Sequence, residues 1–495
     1  MKSRIYSSNL TIGTLLALTS LVVAGLIFKL GPMAIAMCLA FTIIAFYCNS
    51  PKVILMMLVF LFPFSGTELI RDNLLPVPGF KPLQLFALFA VIVAFFNFKG
   101  SAQIPSSATV FFGIVIIVFA FSILHSYFHL NEINSFLRDP LSPWRYFLSK
   151  FCKPLIFLLP ALILTKFIYK KNDFDSIAAT IDWSLTGLSL FIIILFFHQG
   201  VLSGSTKEIR TFLWTSLGTH TNNIANYFIL GFPFVLSRFF IGKGIINLIK
   251  IALISIGIAL LFSRSAYCLF ILSFFIYTFI SKRMKLLPLV IGIVFVAVLY
   301  LIPENVIQRA TTGFDSGDKN VIFAGRIDGL WSPLLEEYAS KPKALFFGNG
   351  RYAIISTNAH KMGVAIQAEH PHNMYIEAIL DVGIFGLSIF LCLFGILLRK
   401  CIIYLKYLEH DYLHEYLIAV ITSLVCFLLS GITDRTFFPD EINGYLWIIV
   451  AFAFVLFRYA ESGETSFTQA YNIHGRLVET QFEHSSFKTV NDIER

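Results

Sequence analysis

The sequence predicts an all-α, polytopic helical membrane protein of about 12–14 transmembrane helices with one large exterior loop domain. Three observations predict it. Of the 495 residues, 57% are hydrophobic and only 14% are charged, against about 25% charged in soluble domains. Apolar runs of about 17–25 residues recur along the chain, each long enough to cross a hydrocarbon core of ~30 Å as a helix. The polar residues, by contrast, concentrate in one long segment, 303–373, and in a few short loops. A soluble multidomain chain would need many fully buried helices to hold this composition.

Taken in order, Lys2 and Arg4 precede an apolar run over 10–30. It is long, lacks a small-residue cleavage pattern and leads at once into the next span, so it reads as an uncleaved first helix. Further spans are expected near 32–48, 52–64, 82–98, 108–128, 146–168, 177–197, 222–241, 246–262, 265–281, 285–302, 374–398, 413–432 and 443–459. The count falls to about 12 if the weak early segments are re-entrant. Under strict alternation Lys99, Lys166, Lys170, Lys171, Lys243, Lys250, Lys282, Arg283, Lys285, Arg399, Lys400 and Lys406 share one side. By the positive-inside rule that side is the cytoplasm.

The chain then divides into an N-terminal transmembrane bundle (1–302), a large exterior loop domain (303–373), C-terminal transmembrane helices (374–460) and a cytoplasmic tail (461–495). The tail is polar, aromatic-poor and expected to be disordered. The loop domain holds seven basic and seven acidic residues, which suits a mixed-charge surface and not a polyion-binding tail. Within it, Gly325 to about Ala339 is expected to form a helix with Leu330, Trp331, Leu334 and Leu335 as an apolar stripe. A Gly-rich turn, Phe347-Gly348-Asn349-Gly350-Arg351, follows. The net charge of +9 belongs with topology-setting loops, since no basic tract or nucleic-acid module is present. The seven cysteines lie in or beside apolar runs and form no CxxC pair, so they read as packing residues.

The residues able to do chemistry reach the exterior side. Glu369-His370-Pro371-His372-Asn373 gathers polar groups at the start of a helix, and Asn373 suits its N-cap. Arg264, in Ser263-Arg264-Ser265, sits between two long apolar runs with almost no loop. A charge at membrane depth is costly and usually faces a cavity or a partner. Arg210 stands in the exterior loop before Asn222-Asn223. Two guanidiniums suit a diphosphate, and a histidine suits removal of a hydroxyl proton near neutral pH. The competing readings are weaker. The His370/His372 spacing is not that of HExxH or of a Cys/His pair and no GxSxG elbow occurs, while a plain interfacial His-Asn cap for the helix after His372 stays open as the bland alternative. A transporter predicts internal repeats and broken helices at the midplane, and no clear repeat is visible.

At these residues the chain resembles the O-antigen ligase and O-antigen polymerase family of bacterial envelope enzymes. The family pattern of His, then Asn, Ser or Gln, nine residues, then Gly-x-x followed by Gly, Thr or Tyr is met by His372-Asn373 and Gly383-Ile384-Phe385-Gly386. Gly325-Arg326 with Trp331, Gly348-Asn349-Gly350, Arg264 and Arg210 are similar to the rest of the family's exterior features. The resemblance is specific over about 205–400. It implies a GT-C-like, metal-independent, inverting glycosyltransferase of the bacterial inner membrane that needs no cofactor. The implied donor is an undecaprenyl-diphosphate-linked glycan. The implied acceptor is lipid A-core for a ligase, or another lipid-linked glycan for a polymerase. Arg210 and Arg264 would hold the diphosphate and His372 would act as general base. His370, Asn373, Arg326 and Arg351 would contact the substrates.

Overall fold

The computed structural model describes residues 51–65, 82–96, 102–136, 140–198, 206–242, 244–286, 320, 323, 325–366, 368–433 and 435–462. In chain order the helices are α1 (Pro51–Leu61), α2 (Pro82–Phe96), α3 (Ser106–Tyr127), α4 (Leu130–Phe136), α5 (Pro143–Leu164), α6 (Lys171–His198), α7 (Thr206–Leu217), α8 (Thr221–Gly242), α9 (Ile245–Ala259) and α10 (Arg264–Ile280). They continue as α11 (Ser332–Ala339), α12 (Pro342–Phe347), the single turns α13 (Ala353–Ser356) and α14 (Asn358–Lys361), α15 (Met374–Tyr407), α16 (Leu413–Ser430) and α17 (Gly444–Glu461). No strand occurs among the described residues.

Among the described residues, seven helices are long and apolar enough to cross a membrane: α3, α5, α6, α8, α15, α16 and α17 with its leading turn. The protein is a polytopic helical membrane protein. The expected spans near 52–64, 82–98, 246–262 and 265–281 are present as the shorter helices α1, α2, α9 and α10. Those at 10–30, 32–48 and 285–302, and the tail beyond 462, lie outside the described residues.

The bundle is built around α8 and α17, whose apolar stretches are 83% and 89% enclosed by protein. Both are apolar around their whole circumference, which is how a central helix reads. α8 packs against α6, α9, α10 and α16. At its crossing with α6, a Cβ on Gly231 would lie 2.6 Å from Leu185 Cδ1. Small residues permit such close helix approach, and in lipid this packing, not a hydrophobic drive, holds helices together.

Charges tie down one end of the bundle. Lys171 pairs with Asp411 at 2.6 Å, and Arg283 grips Glu415 through both guanidinium nitrogens at 2.9 and 2.6 Å. Lys52 pairs with Asp173, and Lys250 with Asp182 at 2.6 Å. Arg458 donates to the Gln103 and Thr165 carbonyls. Lys171, Lys250 and Arg283 are among the basic residues that the loop-charge pattern gathers on a single side.

At the other end stands the polar domain. A π-turn over Ile327–Trp331 leads into α11, and the buried row runs Leu330, Leu334, Tyr338. This differs from the expected stripe in that Leu335 is 37% exposed. The buried row keeps the four-residue spacing set from Leu330, which leaves Leu335 facing outward. The row packs with Ile354 and Ile355, with Ile133 of α4, and with Ile376 and Leu380 of α15. The polar domain therefore has a small core separate from that of the bundle, to which α4 and the start of α15 contribute.

The join is made where α15 breaks. Gly383 has φ +72° and ψ 179° inside an otherwise helical run, a conformation open essentially to glycine alone. The carbonyls of Leu380 and Asp381 accept from Asn349 N–H at 2.8 Å and Gly350 N–H at 2.9 Å, and Tyr338 Oη donates to the Leu380 carbonyl at 3.1 Å. A Cβ on Gly383 would overlap the backbone of Phe346 and Phe347. The Gly-x-x-Gly motif and the Gly-rich turn are thus two halves of one backbone contact.

Candidate active site

A cavity of about 680 Å³ opens where the polar domain meets the bundle. Its wall is assembled from five stretches of chain: 214–223, 262–265, 323–377, 433–436 and 440–443. Four long helices begin at it. Asn222 lies in the first turn of α8, Arg264 opens α10, His372 stands two residues ahead of α15, and Asn443 immediately precedes α17. Each helix N-terminus presents N–H donors and roughly +0.5 of an elementary charge. The site is therefore electropositive before any side-chain charge is counted, and suited to an anion.

Of the residues singled out in the sequence, Arg264, Arg326, Arg351, His370 and His372 all line the cavity. Arg264 is half-buried, placed by Ser263, whose hydroxyl caps α10 by accepting from Ala266 N–H. Arg326 Nη1 donates to the Thr433 carbonyl at 2.6 Å. Arg210 lies on α7 one turn before Trp214, a lining residue; its side chain is outside the described residues. Asn373 does not line the cavity. It caps α15, with Oδ1 accepting from Tyr375 N–H at 3.0 Å and Ile376 N–H at 3.1 Å, while Nδ2 donates to the Ile432 carbonyl at 3.2 Å.

The segment bearing the histidines is held from both sides. Trp331 Nε1 donates to the Pro371 carbonyl at 2.8 Å, and Met374 N–H donates to the Gly431 carbonyl at 2.8 Å. His372 sits between these ties with φ +53°, uncommon for a residue with a side chain. Its N–H donates to His370 Nδ1 at 3.3 Å, and the two rings stand 3.9 Å apart. Strained backbone of this kind persists only where its surroundings over-determine it, and it gathers at functional sites.

Beneath the histidines, Arg351 pairs with Glu377 and with Asp381 (2.8 Å), one turn apart on α15, and its guanidinium lies 4.8 Å from the Phe438 ring. Arg351 is thus engaged in a buried ion cluster that fixes α15 to the Gly-rich turn. Burial pushes the Asp440 carboxyl above its ordinary pKa, and the nearby Arg351 charge offsets part of that shift. Among the described residues no three His, Cys, Asp or Glu side chains come together as a set that could hold a metal ion.

The sequence reading passed over Trp214, His220, Arg435 and Asp440, all of which line the cavity. A signal for Arg435 was present. Like Arg264, it is an arginine in a short polar break between two apolar spans. The lining placed by Trp214 and Asp440 depends on how distant loops meet, which no local pattern announces.

Residues 249–391 match the O-antigen ligase family model. No curated protein matches the chain. The match bears out the resemblance read from the sequence and covers Arg264, Arg326, Arg351, His370, His372 and the Gly383 break. Trp214 and Arg435 lie outside it. It supports a function of the O-antigen ligase or polymerase type, and so a glycan-transfer enzyme acting on lipid-linked glycans.

Proposed function

We propose that the protein is an inner-membrane glycosyltransferase that moves a glycan from undecaprenyl diphosphate to lipid A-core at the periplasmic face. The observation that carries this reading is a single cavity at which four long helices begin and which Arg264 and His372 both line. His372 takes the proton of an acceptor hydroxyl. The oxygen attacks the anomeric carbon, and the bond from that carbon to the carrier's diphosphate oxygen breaks on the opposite face, inverting the configuration. The charge gathering on the departing diphosphate is met by Arg264, by Arg210 from α7, and by the helix N-termini. Arginine supplies bidentate contacts to phosphate oxygens. This chemistry calls on no metal, so activity is expected to survive a chelator.

The test is a gel of lipopolysaccharide from cells lacking the protein, with the lipid-linked pool extracted alongside. Core without repeats, and polymer stranded on the carrier, is expected. Core bearing a single repeat would replace the ligase with a polymerase that joins lipid-linked repeats. In a purified reaction, His372→Ala and Arg264→Ala each abolish transfer while the variants stay folded, and His370→Ala costs less. Wild-type transfer by a stably inserted His372→Ala protein would refute the assigned base.

A further inference from the structure

We propose that the surface shared by α3, α12 and α15 at the polar-domain end of the bundle binds an anionic phospholipid. Lys343, His125 and His129 hold its phosphate, and its acyl chains run along Phe346, Phe347 and Phe385. None of these residues lines the cavity. The inference concerns the outward flank of the junction at Gly383 and stands apart from the transfer reading.

Two helices set the level of this surface. Beyond Gly383, residues 384–407 of α15 stay helical and measure about 36 Å at 1.5 Å per residue, enough to cross a hydrocarbon core of ~30 Å. Arg399, Lys400 and Lys406 stand toward the far end, so Gly383 marks the bilayer boundary nearer the polar domain. α3, an apolar helix of 22 residues, ends at Tyr127, and its last turns reach the same level. Arg351 N–H donates to the Ser122 carbonyl at 3.0 Å, and a Cβ on Gly350 would overlap the Ser126 nitrogen. α12 leads into that Gly-rich turn, and its last two residues, Phe346 and Phe347, lie with their backbone against Gly383.

α12 sorts its residues by face. Lys343, Phe346 and Phe347 follow a three- and four-residue spacing that puts them on one side, and all three are exposed, whereas Ala344 is buried. Phe346 and Phe347 are each 54% exposed, and Phe385, just past the break, is 62% exposed. Such a cluster is unfavourable in water and well matched to acyl chains. α3 presents a similar stripe. Phe121, Leu124 and Phe128 are exposed, and His125 and His129 stand among them with their rings 5.8 Å apart. The Phe121 ring lies 6.0 Å from His125, and Lys343 comes near enough for its charge to act on His125. Lys341 is engaged by Glu337 at 2.6 Å, while Lys343 makes no ion pair among the described residues. The result is one ammonium and two imidazoles at the head of a phenylalanine-rich wall. A lysine at the membrane surface attracts anionic headgroups, and imidazole N–H groups donate to phosphate oxygens. Water would solvate Lys343 but leave the phenylalanines exposed. One anionic phospholipid satisfies both, and seated there it braces α12 against α15 from the lipid side.

The test uses the full-length protein, purified in detergent and titrated with phosphatidylglycerol or, separately, with phosphatidylcholine of the same acyl chains. Thermal unfolding and native mass spectrometry are the readouts. Phosphatidylglycerol is expected to raise the melting temperature saturably and to be retained as a bound lipid, and phosphatidylcholine to do neither. Lys343→Gln should keep the lipid-free melting temperature and weaken phosphatidylglycerol binding about fivefold, the worth of one lysine at an anionic surface. Lys406→Gln, toward the far end of α15, is the control and should bind like wild type. An equal response to both lipids would overturn the site, as would wild-type affinity in Lys343→Gln. So would the same rise produced by inorganic phosphate, which has no chains, or a rise that lipid A produces and phosphatidylglycerol does not, which would make the surface an acceptor site. Should Lys343→Gln not fold, His129→Gln decides by the same measurements, with an expected loss of about twofold or more from one hydrogen bond.

Discussion

Replacing Gly383 by alanine tests the junction on which the site stands. At φ +72° and ψ 179° an L-residue costs about 1–3 kcal/mol in backbone strain alone. The added methyl also overlaps the Phe346 carbonyl and the Phe347 nitrogen, so either the turn retreats or α15 straightens. Both outcomes break the Asn349–Leu380 and Gly350–Asp381 bonds, each worth about 0.5–1.5 kcal/mol. The combined cost is about 2–6 kcal/mol, placed between the polar domain and the bundle. Membrane insertion should be normal. Purified Gly383→Ala should melt earlier, be cut sooner by protease near residues 345–352, and lose most transfer activity. Gly395 supplies the control: it lies on the same helix with nothing within 4 Å of an added Cβ. Gly395→Ala should be neutral or slightly stabilising, since alanine favours a helix over glycine by ~1 kcal/mol. A Gly383→Ala protein with wild-type melting, cleavage and transfer would refute the account of the break.

Three other outcomes follow from the geometry. Arg351→Met should destabilise by about 3–5 kcal/mol, because it strands Glu377 and Asp381 in a buried setting, and thermal unfolding should recover when Glu377→Gln and Asp381→Asn are added. Trp331→Phe removes the bond to the Pro371 carbonyl, so transfer should fall several-fold, by roughly the worth of one hydrogen bond, with melting little changed. Glu337 accepts from Lys341, Asn358 and Ala359. Burial alone would raise its pKa, yet these partners hold it below the ordinary value. Its contribution is present above the unfolded pKa and lost as pH falls through the depressed one. Wild-type protein should therefore lose more stability than Glu337→Gln on acidification below about pH 4.5, followed by melting across pH.

The fold class was legible because a membrane helix announces itself by length and composition. α3, α8, α15, α16 and α17 begin within a few residues of where hydropathy places them. The Asn373 cap was legible too, because capping is local. Arg264 was legible because a charge between apolar runs needs a reason. What stayed hidden depends on contacts between distant segments. Arg351 reads as a glycan contact in sequence but is committed to Glu377 and Asp381, which lie one helical turn apart 26 and 30 residues later. Asn373 joins the site by shaping α15 and not by reaching the cavity. Leu335 turned outward because the buried row took its phase from Leu330. No pattern in 433–442 shows that Arg435 meets the Asn222 carbonyl over a separation of 213 residues.

The order in which the cavity's walls are made has a consequence for biogenesis. The carbonyls that receive the Gly-rich turn belong to α15, and the loop that anchors the histidine segment follows α16, so both are translated after the parts they hold. Arg264 and the two histidines leave the ribosome well before residues 431–443, and before α17, whose start completes the wall. A chain interrupted between α15 and α17 carries Arg264 and the two histidines but not their enclosure. Stalled or truncated products would then be inert in the membrane, with no formed site in which to hold, or prematurely discharge, the carrier lipid.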